Sequence, residues 1–175
     1  VSGGSLYRKS SFLVDSLGQR LFPKWLQIDE QPHLKRGLAS SPFDDDGVAT
    51  RDRSVVRDGV LQGYFLSTYT ARKLGLKTTG NASRGLAGAA SVGPGNFFIE
   101  AGVRKEEQLI SGIKQGLYIT ELIGASANTV TGDYSSGAAG LWIENGELAY
   151  PVSEITVAGN LKTMLMDLEQ PASNL

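Results

Sequence analysis

Apolar and polar positions alternate along this chain in short blocks, punctuated by glycine-containing pairs. In RSVVRDGVLQGYFLSTY (53–69), Val55 and Val56 precede Asp58-Gly59, and Val60 and Leu61 follow it. An Asp-Gly pair accepts the positive φ values of a two-residue turn, so the block predicts a β-hairpin. GLWIENGELAYPV (140–152) predicts a second hairpin, with Asn145-Gly146 at its tip. Both run apolar pair, charged residue, Asp or Asn, Gly, one residue, Leu. Well-made hairpins share that pattern, so it is read as hairpin design rather than as an internal repeat. LGQRLFPKWLQIDEQP (17–32) alternates in two runs broken by Pro23, predicting two strands or one bent strand. LYITELIG (117–124) is a mostly apolar run and predicts a buried strand.

A helical rhythm appears twice. KEEQLISGIKQG (105–116) puts Leu109, Ile110, Ile113 and the following Leu117 on one face, with acids in the first turn and a glycine at the end. NLKTMLMDLEQ (160–170) begins at an Asn cap, and Leu161, Met164, Leu165 and Leu168 keep the i, i+3, i+4, i+7 spacing. TYTARKLGL (68–76) predicts a short third helix. Two regions read as loops: ASSPFDDDGVATRD (39–52), and TTGNASRGLAGAASVGPGNFFIE (78–100) up to a strand at 97–100. The sum is an α+β fold, mainly antiparallel and sheet-rich, with two or three helices. Neither end of the 175 residues carries an element boundary, which predicts a fragment of a longer protein.

Composition narrows the functional classes. The 22 glycines, about twice the usual ~7% share, point to many turns, bulges or close backbone approaches. Seventeen basic against 18 acidic residues give a net charge of −1, and the densest basic spots, YRK (7–9), LKR (34–36) and ARK (71–73), are short; nucleic-acid binding is not expected. No apolar run is long enough to span a membrane, and the first residues do not read as a signal peptide. The absence of cysteine excludes a disulfide framework and fits a reducing compartment.

Candidate chemistry is sparse. His33 is the single histidine, so zinc in this chain would need His33 with carboxylates such as Asp29 and Glu30, and no ligand spacing supports that. Asp44, Asp45 and Asp46 are consecutive rather than alternating, unlike a calcium-binding EF-hand loop, and read as a solvated turn. SGIK (111–114) matches S-x-x-K but falls on a predicted core-facing helix. No phosphate-cradling glycine motif and no G-x-S-x-G occur. What remains is Asp133, Tyr134, Ser135, Ser136 and Gly137 at the entrance to the second hairpin. Gly132, Gly137 and Gly140 would permit a bulged or sharply bent strand whose freed backbone groups the hydroxyls satisfy. Alternatively, a bent edge would present its backbone to an extended peptide that adds as a further strand.

Several blocks, in order and spread over nearly the whole chain, settle on one family: SGGSLYRKSSFL (2–13), LASSPFDDDGV (38–48), ARKLGLKTTGN (71–81), TGDYSSGAAGLWIENGE (131–147) and YPVSEITVAGNL (150–161). Together they resemble the PmbA/TldD family, whose members carry the names peptidase and modulator of DNA gyrase. The wording of the last two blocks resembles the PmbA (TldE) branch. The resemblance implies that residues 1–175 form a single domain, most of the C-terminal half of a longer protein, with barrel-like closure of its sheet.

It further implies a cytoplasmic heterodimer that degrades unfolded peptides and matures peptide toxins. In the TldD branch a helix bearing H-E-x-x-x-H and a cysteine near the C-terminus bind zinc. Those positions would fall before Val1 and after Leu175, so no catalytic residue and no metal ligand is assigned here. Zinc is expected in a homologous TldD-like partner. Asp133, Tyr134, Ser135, Ser136 and Gly137 would line the groove where peptide and partner meet, and Tyr7, Arg8 and Lys9 are a second choice for that surface. Two other functions stand beside this one. One is a regulatory protein acting on toxin, antitoxin or gyrase complexes without proteolysis. The other is a metallopeptidase whose ligands lie outside these residues.

Overall fold

The computed structural model describes residues 1–174. The chain divides into two compact units, Val1–Glu100 and Ala101–Leu175.

The first unit is built on a four-stranded antiparallel sheet in the order β3-β2-β1-β6. Its strands are β1 (Ile28–Glu30), β2 (Arg53–Arg57), β3 (Val60–Leu61) and β6 (Phe97–Ile99). The β2–β3 turn is the expected one: Asp58 and Gly59 have φ of 51° and 73°. Only Ile28–Glu30 of the 17–32 stretch is a strand, because residues around Pro23 spend their backbone on turns, with Leu26 N–H donating to the Pro23 carbonyl. Leu26, Ile28, Val55, Val56 and Leu61 form the core against Leu66 and Ala71. Two strands of two residues, β4 (Ala82–Ser83) and β5 (Ser91–Val92), form a separate ladder within the glycine-rich stretch.

Two helices complete this unit. α2 (Thr68–Leu74) follows the sequence pattern, opened by the Ser67–Thr70 capping box and closed by Gly75 in the left-handed conformation. α1 (Gly3–Tyr7) forms where the sequence predicts no helix, since two adjacent glycines weaken one. Tertiary packing overrides that cost. A Cβ at Gly3 would lie 2.5 Å from Thr70, so the glycine is what lets α1 sit directly on α2.

The second unit is a three-stranded antiparallel meander, β7 (Gln115–Ala127), β8 (Asp133–Glu144) and β9 (Glu147–Asn160). Asn145 and Gly146 turn β8 into β9 with φ of 51° and 86°. β7 is a strand as expected but not a buried one. It lies at the sheet edge, and Ile119, Leu122 and Ile123 are exposed. Both flanking helices are shorter than their periodicity suggested. α3 (Glu106–Ile110) ends at Ser111 and Gly112, and α4 (Leu161–Met166) starts from the Asn160 cap and ends at Asp167.

The architecture is therefore α+β and mostly antiparallel, with four short helices among the described residues. Barrel closure is not found there. The strands fall into three separate sheets, each with two free edges, and closure would require the first and last strand of a sheet to pair. No helix among the described residues is long and apolar enough to cross a membrane.

Candidate functional site

The entrance to β8 is a small polar junction. Gly132, at φ 86°, lets the chain reverse into the strand, and its carbonyl accepts from Leu161 N–H. Asp133 follows. Its carboxylate accepts from the Thr131 hydroxyl at 2.6 Å and from the Asn160 side-chain amide at 3.2 Å. The Thr131 hydroxyl above all, and then the Asn160 amide, hold the Asp133 carboxyl below the ordinary aspartate range. Asn160 also caps α4, its side-chain oxygen accepting from Lys162 N–H.

The four following positions divide by role. Ser136 is almost fully buried, and its hydroxyl donates to the Gly137 carbonyl at 2.9 Å. The Ile123 carbonyl lies 3.4 Å away, beside the bulge between Ile123 and Ser126. This is the backbone-satisfying use of a hydroxyl next to a bulge. Gly137 faces Ile123 across the ladder, where a Cβ would approach the Ile123 carbonyl to 3.1 Å. Tyr134 is half-buried, paired with Ala127 and Gly159, and Ser135 is exposed. Neither side chain forms a hydrogen bond among the described residues. Asp133 and Ser136 hold the sheet entrance, and the bent-edge reading does not survive: β8 is the central strand, paired with β7 and β9 from Tyr134 through Gly137, so Tyr134 and Ser135 offer side chains and no free backbone.

Tyr7, Arg8 and Lys9 lie in the first unit, at the end of α1. Tyr7 is about half exposed, Arg8 is the C-cap, and Lys9 takes a left-handed φ of 53°. The Lys73 ammonium of α2 sits 5.8 Å from the centroids of both the Tyr7 and Tyr69 rings.

The residues considered for metal do not fit it. His33 hydrogen-bonds the Thr50 hydroxyl through Nε2, Asp29 accepts from Gln27, and Glu30 is buried in an ion pair with Arg53. The aspartate run is not a solvated turn. Asp44 is buried and accepts backbone N–H groups from Asp46, Val48 and Ala82; Asp45 accepts from Arg84 N–H, and Asp46 from Thr68 N–H. Each carboxylate takes an amide that the long loop would otherwise leave unpaired, as the buried backbone requires. The Arg84 guanidinium also holds the Asp46 carboxyl below its usual range. Among the described residues no three His, Cys, Asp or Glu side chains are grouped to hold a metal ion. The S-x-x-K match is equally structural, because the Ser111 hydroxyl donates to the Gln108 carbonyl at the end of α3.

One polar centre has no sequence signature. Glu30 accepts from Arg53 at 2.7 Å, and from Asn81 and Gly95 N–H at 2.6 Å each. Arg53 also donates to Asn81 and to the Tyr64 carbonyl, and its guanidinium stacks on Phe65. The network ties β1 and β2 to the glycine-rich stretch.

Over residues 1–175 the chain matches the family described as the PmbA/TldA metallopeptidase C-terminal domain. It is 52% identical over 164 residues to the metalloprotease PmbA of Escherichia coli O157:H7, covering 94% of this chain and 34% of that protein. It is 46% identical to a PmbA homolog of Haemophilus influenzae, over 100% of this chain and 37% of the relative. The crystal structure of TldE from Thermococcus kodakarensis superposes with a TM-score of 0.86 at 26% identity, covering 98% of this chain and 39% of that one. The chain thus spans little more than a third of the length of these relatives. It belongs to the PmbA/TldD metallopeptidase family, in the PmbA branch.

Proposed function

We propose that these residues form most of the C-terminal half of a non-catalytic subunit, one that supports a homologous TldD-like zinc peptidase acting on unfolded peptides and peptide toxins in the cytoplasm. The observation that carries this is membership of the PmbA branch. The histidine, the aspartate run and the buried glutamate each have protein partners; zinc is expected on the homologous chain because the PmbA branch resembles the half of the pair that lacks the zinc motif. The free edges of β7 and β9 could take an extended segment, and the side chains of Tyr134 and Ser135 on the central strand support contact with a peptide or the partner through side chains alone.

The test uses the intact protein, purified alone and co-expressed with its TldD-like homologue. Zinc content and hydrolysis of an unstructured peptide are measured in both samples. Metal and activity confined to the pair are expected. Metal and activity in the lone protein would overturn the supporting role and identify a peptidase in its own right. Hydrolysis in neither sample would favour a regulatory binding protein.

A further inference from the structure

The short basic blocks YRK and ARK lie far apart in the chain, and the fold joins them. α1 packs on α2 through Gly3 and Thr70, and Lys73 of α2 reaches the ring of Tyr7 at the end of α1. Tyr7, Arg8, Lys9, Tyr69, Arg72 and Lys73 are all exposed. Among the described residues the ion pairs are Glu30–Arg53 and Asp46–Arg84, so Arg8, Lys9, Arg72 and Lys73 have no carboxylate partner. Two acids border this face: Asp46 lines a shallow pocket with Arg72 and Tyr69 and is already paired with Arg84, and Asp15 shares a groove with Tyr7 and Lys9.

This groove, of about 560 Å³, has walls that include Leu6, Val14, Leu17, Leu74 and Leu76. One wall is fixed in place. The Tyr64 hydroxyl donates to the Leu13 carbonyl at 2.9 Å and accepts from Ser16 N–H at 3.1 Å, pinning the loop between α1 and β1. Lys9 and Asp15, the two charged residues on the groove, hold left-handed φ values of 53° and 61°. Non-glycine residues hold such conformations at a cost, and they concentrate where a surface is shaped for a ligand.

We infer that this face binds an acidic, extended peptide segment. Its carboxylates lie over Arg8, Arg72 and Lys73, and one large apolar side chain enters the groove beside Lys9. Unpaired cations flanked by aromatic rings attract carboxylates, and the leucine-rich groove adds affinity for a side chain that an unfolded peptide leaves exposed. Four cations, two just past the end of α1 and two on α2, in a chain of net charge −1, make a small footprint for nucleic acid, and an apolar groove offers phosphate nothing. Asp15 at the groove sets direction, opposing an acid there while favouring a neutral or basic residue after the apolar one.

Such a surface presupposes a peptide-handling protein. The experiment measures fluorescence anisotropy of the intact protein with three labelled probes: a short unstructured acidic peptide carrying one leucine, a neutral Ser/Gly peptide with the same leucine, and a single-stranded DNA oligonucleotide. The acidic peptide is expected to bind about tenfold more tightly than the neutral one at low salt. Arg8→Glu with Lys73→Glu should abolish that advantage. Arg8→Gln with Arg72→Gln, milder changes at exposed positions, should reduce it. Leu76→Asp should weaken both peptides. Equal binding of the two peptides, indifference to charge reversal, or DNA competing as strongly as the acidic peptide would each overturn the assignment. Hydrolysis of the neutral peptide by the co-expressed pair reads the peptidase role separately. Hydrolysis without charge-dependent binding removes the surface, and charge-dependent binding without hydrolysis removes the peptidase role instead.

Discussion

Asp133 and Asn160 face each other across β8 and β9, and a single side chain serves both strands: the Asn160 amide nitrogen donates to Asp133 at 3.2 Å while its oxygen caps α4. With the Thr131 hydroxyl this bond favours the ionised carboxylate. The folded midpoint therefore lies below the unfolded value of about 3.9. The stabilisation is fully present above that value and is lost as pH falls through the lower, folded midpoint. Titration of the Asp133 carboxyl carbon by NMR should show the depressed midpoint, and Thr131→Val should move it upward. A midpoint unchanged by Thr131→Val would remove the hydroxyl as the main cause.

The buried pair of Glu30 and Arg53 predicts a non-additive effect. Removing one member, as in Glu30→Leu, leaves a guanidinium short of its charge partner in a buried place and should cost roughly 3–5 kcal/mol. Removing both, with Glu30→Leu and Arg53→Met, should recover much of that loss, because the uncompensated charge goes with its partner. Urea denaturation of the intact proteins reads the cycle. Additive losses would mean that Arg53 contributes chiefly through Asn81, the Tyr64 carbonyl and Phe65 rather than through the ion pair.

Asp44 makes a simpler case. Two backbone amides of its own turn, from Asp46 and Val48, and one from 38 residues on, from Ala82, converge on its carboxylate. Asp44→Ala should cost about 1–3 kcal/mol by leaving buried donors unpaired. Asp44→Asn, which keeps one acceptor oxygen, should cost less. Hydrogen exchange should show the Val48 and Ala82 amides losing protection together in Asp44→Ala; continued protection of Ala82 would mean that the β4–β5 ladder holds without this clamp.

These cases mark what was legible from the chain. Asp58-Gly59 and Asn145-Gly146 announced their hairpins because turn geometry is local: two residues must accept positive φ, and the residue types say so. The Ser67 and Asn160 caps were local in the same way, although helix length was not. α4 stops at Met166 and α3 at Ile110 although the apolar spacing runs on. Asp44 looked like a surface turn, since nothing in DDDG reveals that Ala82 N–H will arrive from 38 residues away. The Glu30 network likewise joins residues 51 and 65 positions apart. At the candidate site, the suggestion that hydroxyls satisfy a bulged strand holds for Ser136. Sequence could not separate Ser136 from Ser135, because alternation along β8 assigns them to opposite faces only once the register is known.

That alternation also puts Tyr134 and Ser135 on opposite faces of β8, so the last prediction changes both. Tyr134 and Ser135 are the two members of the β8 group with side-chain polar atoms that form no hydrogen bond among the described residues, so replacing them tests function with limited damage to the fold. In the co-expressed pair, Tyr134→Ala with Ser135→Ala should lower kcat/KM for an unstructured peptide roughly tenfold, about 1.4 kcal/mol of transition-state stabilisation. Thermal stability should change little, because neither residue is fully buried. Ser136→Ala is the contrasting variant. It removes the hydroxyl bonded to the Gly137 carbonyl and should lower stability first, with activity following only as far as the sheet loosens. Full activity and intact pairing in the Tyr134/Ser135 variant would show that the β8 entrance touches neither peptide nor partner.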